Sequence, residues 1–172
     1  LSKLATIMLL FSSIVSYSQS PGNVSTNLEL WLKADAGVEE AASDPAETGD
    51  NVLNWLDQSG NSNDATQTEV NRRPDLTSND VNFNPSLTFN GSSDFIDIAY
   101  TANLNGGDLS VFIVLDHDGA SGWRSPWTSR NHMAGHLLYY NASKNGYDYW
   151  TGTGSEWSQF WGPFSSNLYE IF

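Results

Sequence analysis

At 172 residues the chain is long enough for one domain with a sizeable core. Twenty acidic residues against seven basic ones give a formal charge of −13, which disfavours nucleic acid and anionic membranes, because both need Lys and Arg to neutralise phosphate. Cys is absent while Trp, Tyr and Phe number 7, 7 and 8, so stability has to come from aromatic burial or a bound metal rather than disulfides.

Lys3 precedes an apolar run from Leu4 to Val15 that is too short to span a bilayer, and Ser16-Tyr17-Ser18 then offers small residues at a cleavage site. This order predicts a signal peptide over residues 1–18 and a secreted or cell-surface domain over 19–172, with no membrane insertion after cleavage. Leu28, Leu30 and Leu32 alternate with Glu29, Trp31 and Lys33, the pattern of a strand with one buried face. Glu39 to Asp50 is polar and acidic and reads as a mobile loop.

Two turn units come next. In the first, Asn54-Trp55-Leu56-Asp57-Gln58-Ser59-Gly60-Asn61-Ser62-Asn63-Asp64-Ala65, a Trp anchor runs into residues whose side chains bond nearby backbone. The second, Thr88-Phe89-Asn90-Gly91-Ser92-Ser93-Asp94-Phe95-Ile96, places an Asn-Gly turn between two apolar ends. Farther along, Ser110 to Leu115 is apolar on both faces, as in a central strand covered on both sides. His136–Tyr140 and Tyr147–Thr151 flank a hairpin signal at Asn145-Gly146, and Phe160-Trp161 and Leu168–Phe172 are the last strand candidates. Many short strands with Gly- and Asn-rich punctuation predict an all-β sandwich or barrel.

The two turn units are similar to the pattern W-x-D-x-S-G-N-x-N-D-A followed by F-D-G-x-x-D-Y. They resemble the N-terminal signature of LamG-like, concanavalin A-like jelly-roll domains of secreted bacterial proteins. The likeness begins near Leu28 and weakens toward the last residue; Asn90 stands where that family usually has Asp. It implies an all-β concanavalin A-like jelly-roll β-sandwich. In that family further strands follow the one at Leu168–Phe172, so the chain reads as incomplete at its C-terminus.

Catalytic signals are poor. Retaining glycosidases need two carboxylates about 5 Å apart, and those of this fold carry them as E-x-D-x-x-E, a run absent here. Tyr140, Lys144 and Tyr147 resemble a lyase set only faintly, and His117, His132 and His136 lack Cys or Glu partners at zinc spacing. Calcium is the cofactor that the oxygen-rich turns suit, with Asp57, Asp64, Asn90 and Asp94 as its ligands. The same carboxylates serve equally well as acceptors for backbone N–H groups, with no ion. Trp123, Trp127, Tyr147 and Tyr149 are the candidate sugar-stacking platform, with Arg124 placed to orient an acidic sugar or to pair with Asp118. The expected function is a non-catalytic module binding carbohydrate or an extracellular protein. The alternatives are a fragment of a polysaccharide-active glycoside hydrolase or lyase and a structural domain of an adhesin.

Overall fold

The computed structural model describes residues 20–98, 110–116, 124–129, 135–143, 146–153, 156–163 and 170–171. The expected signal peptide, Trp123, His117, His132 and Lys144 lie outside them. Among the described residues the only helices are two single 3-10 turns, Pro21–Asn23 and Val70–Arg72. No helix there is long and apolar enough to cross a membrane. The protein is all-β, and among the described residues every strand pairing is antiparallel.

The N-terminal half builds on β1 (Val38–Ala41), β2 (Asp44–Pro45), β3 (Asn54–Trp55) and β4 (Ala65–Thr66), with the hairpin β5 (Asp75–Val81) and β6 (Asn84–Thr88) beside β7 (Asp97–Ile98). One sheet runs β2-β1-β3-β4-β7, and β5-β6 forms a separate two-stranded ribbon. Val38, Val52 and Leu76 are its buried centre, with Ala46, Trp55, Leu87 and Ile96 packed around them. Trp55 is fixed by its indole N–H, which donates to Lys33 O at 2.7 Å.

The C-terminal half has β8 (Val114–Leu115), β9 (Arg124–Thr128), β10 (Gly135–Asn141), β11 (Gly146–Thr153), β12 (Glu156–Pro163) and β13 (Glu170–Ile171). Strands β9 to β12 form a meander in the order β12-β11-β10-β9, and β8 pairs with β13. The hairpin predicted at Asn145-Gly146 is present, with Asn141 opposite Gly146 as its first pair. Leu138, Tyr140 and Tyr147 form the second core, flanked by Ile113, Leu115, Trp127 and Tyr149.

Three expectations are corrected. The acidic stretch 39–50 is not a plain loop, because Glu39 to Pro45 folds into the β1–β2 hairpin, which buries only Val38. Crowding by Asp50, some burial, and the charges of Asp44 and Glu47 push the Glu40 carboxyl above its ordinary range. Leu28–Lys33 is not a ladder strand. Its backbone groups are met by the first turn: Asp57 accepts from Trp31 N–H, and the Asn61 and Asn63 amides donate to Leu28 O and Glu29 O. The third correction concerns Ser110–Leu115, which is covered on one side only. Val111, Ile113 and Leu115 are half-buried, whereas Phe112 is 79% exposed and Val114 63%.

Candidate functional site

Asp57 is the hub of the first turn. Oδ1 accepts from Trp31 N–H and Ser59 N–H, both at 2.9 Å, and Oδ2 from the Ser59 hydroxyl at 2.6 Å and Asn63 N–H at 3.1 Å. Asp57 N–H in turn donates to Asp64 Oδ1 at 2.8 Å. Burial opposes ionisation of Asp57, but the bonds from Ser59, Trp31 and Asn63 outweigh it and hold the carboxyl below its ordinary value. The turn thus supplies its own positive partners, the backbone N–H groups.

The second turn is closed by Asn90 and Asp94. Asn90 Oδ1 accepts from the N–H groups of Ser92, Ser93 and Asp94 at 2.9, 2.9 and 3.2 Å. Asn90 Nδ2 donates to Asp94 Oδ1 at 2.6 Å, and Asn90 N–H donates to Asp94 Oδ2 at 2.8 Å. The Asn90 amide and backbone N–H groups thus occupy both oxygens of the Asp94 carboxylate without supplying any charge. Among the described residues no group of three or more His, Cys, Asp or Glu could hold a metal ion. The four expected calcium ligands, Asp57, Asp64, Asn90 and Asp94, all hydrogen-bond groups of their own turns, and Asp57 also reaches Trp31 N–H. Asn90→Asp should replace the donor with a second carboxylate oxygen facing Asp94. The expected result is a loss of about 1 kcal/mol, partly restored by millimolar calcium. Melting the variant with calcium and with chelator checks it; a wild-type melt in chelator would refute it.

Gly91 joins this turn to the meander. Its φ is +66°, and a Cβ there would lie 3.2 Å from Arg124 Nε and 3.7 Å from Arg124 Cδ. Arg124 therefore lies against the turn. How it reaches there follows from β9. Leu138 pairs with Trp127 but Tyr140 pairs with Arg124, so three steps along β9 span two along β10. The extra residue is a bulge at Ser125-Pro126, which brings both Arg124 and Trp127 onto the core face. The Ser125 hydroxyl donates toward Leu138 O at 2.6 Å and lies 3.0 Å from Trp127 O.

Register also sorts the aromatic residues of the meander. Tyr140 pairs with Tyr147 and Leu138 with Tyr149, so these side chains share the core face with Trp127. Tyr147 is 2% exposed and packs edge-on against Tyr140, ring centroids 5.7 Å apart. It is a core residue and offers no open ring to a sugar. Trp127 and Tyr149 pack against the same cluster while keeping part of their surface in solvent. Of the expected platform, Tyr147 lies in the core and Trp127 and Tyr149 are half-buried beside it, while Trp123 lies outside the described residues.

The opposite face carries a different group. Tyr139 pairs with Asp148 and Leu137 with Trp150. The Trp150 indole N–H donates to Tyr139 Oη, and Tyr139 Oη and Asn141 Nδ2 both donate to Asp148 Oδ2, each bond at 2.8 Å. Asp148 is fully buried, Tyr139 and Asn141 are nearly so, and Trp150 is half-buried. Burial, and then the bond to Asp148, push the Tyr139 phenol up to about 12. Its contribution is thus complete below the ordinary phenol value near ~10 and is lost only as pH rises toward the folded one. The backbone of β12 sets Gln159 opposite Trp150 and Trp161 opposite Asp148. None of the candidate residues read from the sequence belongs to this network. The available signal was the pairing frame of the Asn141–Gly146 hairpin, which puts residues 137, 139 and 141 opposite 150, 148 and 146.

No family model matches the chain, and no curated protein or solved structure matches it.

Proposed function

We propose that this chain is a non-catalytic carbohydrate-binding module, built on a concanavalin A-like jelly roll and acting outside the cell. One observation carries the reading: Trp150 is a partly exposed indole whose N–H is fixed from beneath by Tyr139, itself fixed by the buried Asp148. The Trp150 and Tyr139 rings lie 6.1 Å apart at 41°, so packing also limits rotation of the indole. A ring held in one orientation loses little entropy when a pyranose stacks on it. The anchoring carboxylate is buried, which suits a supporting role rather than proton transfer to a substrate.

The test is electrophoresis through gels containing dissolved polysaccharides, with melting curves alongside. Wild type should be retarded by at least one glycan. Trp150→Ala should migrate as in a blank gel while remaining folded at the assay temperature, and Tyr139→Phe, which frees the indole N–H, should be retarded less. Retardation of Trp150→Ala equal to wild type, or none for wild type on any neutral or acidic glycan, overturns the reading.

A further inference from the structure

The β5–β6 hairpin ends in a two-residue loop, Asn82-Phe83, closed by the pair Val81 and Asn84. Both loop residues are left-handed, Asn82 with φ +50° and Phe83 with φ +67°. Two-residue hairpins of this hand take Gly at the second position, because a bulky side chain is strained there. This chain has a phenylalanine, and its side chain does nothing for the fold: Phe83 is 90% exposed. Exposure alone would be ordinary for one ring, but a bulky residue held at positive φ while burying nothing is a strained position that points to a role outside the domain.

The hairpin is anchored at its base and exposed toward its tip. At its root Leu76 is buried and Leu87 packs against the first core. Beyond Thr77 the strands separate over a bulge, with Asn79 at φ +55°, and Ser78, Asn79 and Asp80 are exposed. The tip is nonetheless braced: Asp80 holds the Ser86 hydroxyl, and Asn84 Nδ2 donates to Asn82 O at 3.2 Å. The ring therefore stands on a defined stalk.

We propose that Phe83 is a docking tooth, inserted into an apolar socket on a partner protein whose rim is basic. A lone convex ring fits a concave receptor. The rim is assigned by charge: the chain carries −13, and Asp80 sits three residues from the ring. That charge sets a second copy of the chain, or an anionic bilayer, against the tip by repulsion. The proposal stands independently of the sugar site, since it uses a different element and a different surface.

A photo-crosslinking phenylalanine analogue at position 83 tests it in the full chain, expressed in its own host cells. The same analogue at Val70, 60% exposed, is the control. One discrete protein adduct from position 83 that is missing from position 70 is expected. With that protein purified, Phe83→Gly and Phe83→Asn should bind at least about tenfold more weakly than wild type. Both variants suit a left-handed turn, so their melting temperatures should equal or exceed that of wild type, and raised salt should weaken wild-type binding. Four results overturn the proposal: an adduct with a second copy, an adduct with lipid or glycan, no adduct above the control, or a crosslinked protein that binds Phe83→Gly as well as wild type.

Discussion

Truncating Tyr147 to alanine should cost about 3–5 kcal/mol of stability, the range for removing a large buried ring. The ring is 2% exposed and packs in one cluster with Leu138 and Tyr140, so its loss leaves a cavity in that core. For a domain of this size that means a fall in melting temperature on the order of 10 °C. Tyr147→Phe keeps the ring and should fall much less. Thermal melts of the two variants check this. If Tyr147 belonged to a sugar platform instead, the alanine variant would melt like wild type and fail only in glycan gels.

Asp57→Ala should be the most damaging change in the N-terminal half, costing about 2–4 kcal/mol. It removes the acceptor of three backbone N–H groups and one hydroxyl at once, and with it the tie that holds Trp31 to the turn. The pH dependence has a definite sign. The Asp57 carboxyl titrates lower in the folded chain than in the unfolded one. Its contribution is therefore complete above the ordinary carboxylate value of about 4 and is lost as pH falls through the lower folded value. Asp57→Asn should flatten that acid limb while costing less at neutral pH. Urea titrations of wild type and both variants between about pH 2 and 7 measure it. An unchanged acid limb in Asp57→Asn would contradict the assignment.

The all-β class was legible because its signals are local: turn residues at short intervals and alternation within segments such as Tyr147–Thr151. So was the turn-tying use of Asp57 and Asp94, which rests on side chains bonding backbone two to six residues away, apart from the longer reach to Trp31. What was not legible depended on partners distant in sequence. Leu28–Lys33 alternates like a strand, but what saturates it lies about thirty residues on, in Asn61 and Asn63. The β1–β2 hairpin hides behind its charges, since a hairpin on the outside of a sheet needs one inward residue, Val38. Sorting the aromatics was harder still. Tyr147 and Tyr149 differ from Asp148 and Trp150 only by the phase of one strand, and a single step in register exchanges the two faces. That phase is set by the hairpin frame, and on β9 by a bulge that no periodicity reveals.

The Ser125-Pro126 bulge has a further result, one that concerns the sheet as a growing object. Among the described residues β9 is an outer strand of the order β12-β11-β10-β9, and an outer strand presents amide groups that a neighbouring molecule can zip onto. Pro126 has no N–H to offer, and the bulge beside it breaks the even spacing that a newcomer strand would need to match. Together they make that edge a poor template for a further strand. A chain so rich in aromatic β segments is thereby guarded against templating its own fibrils from this edge, and Pro126→Val should shorten the lag before thioflavin-positive aggregates form on prolonged shaking.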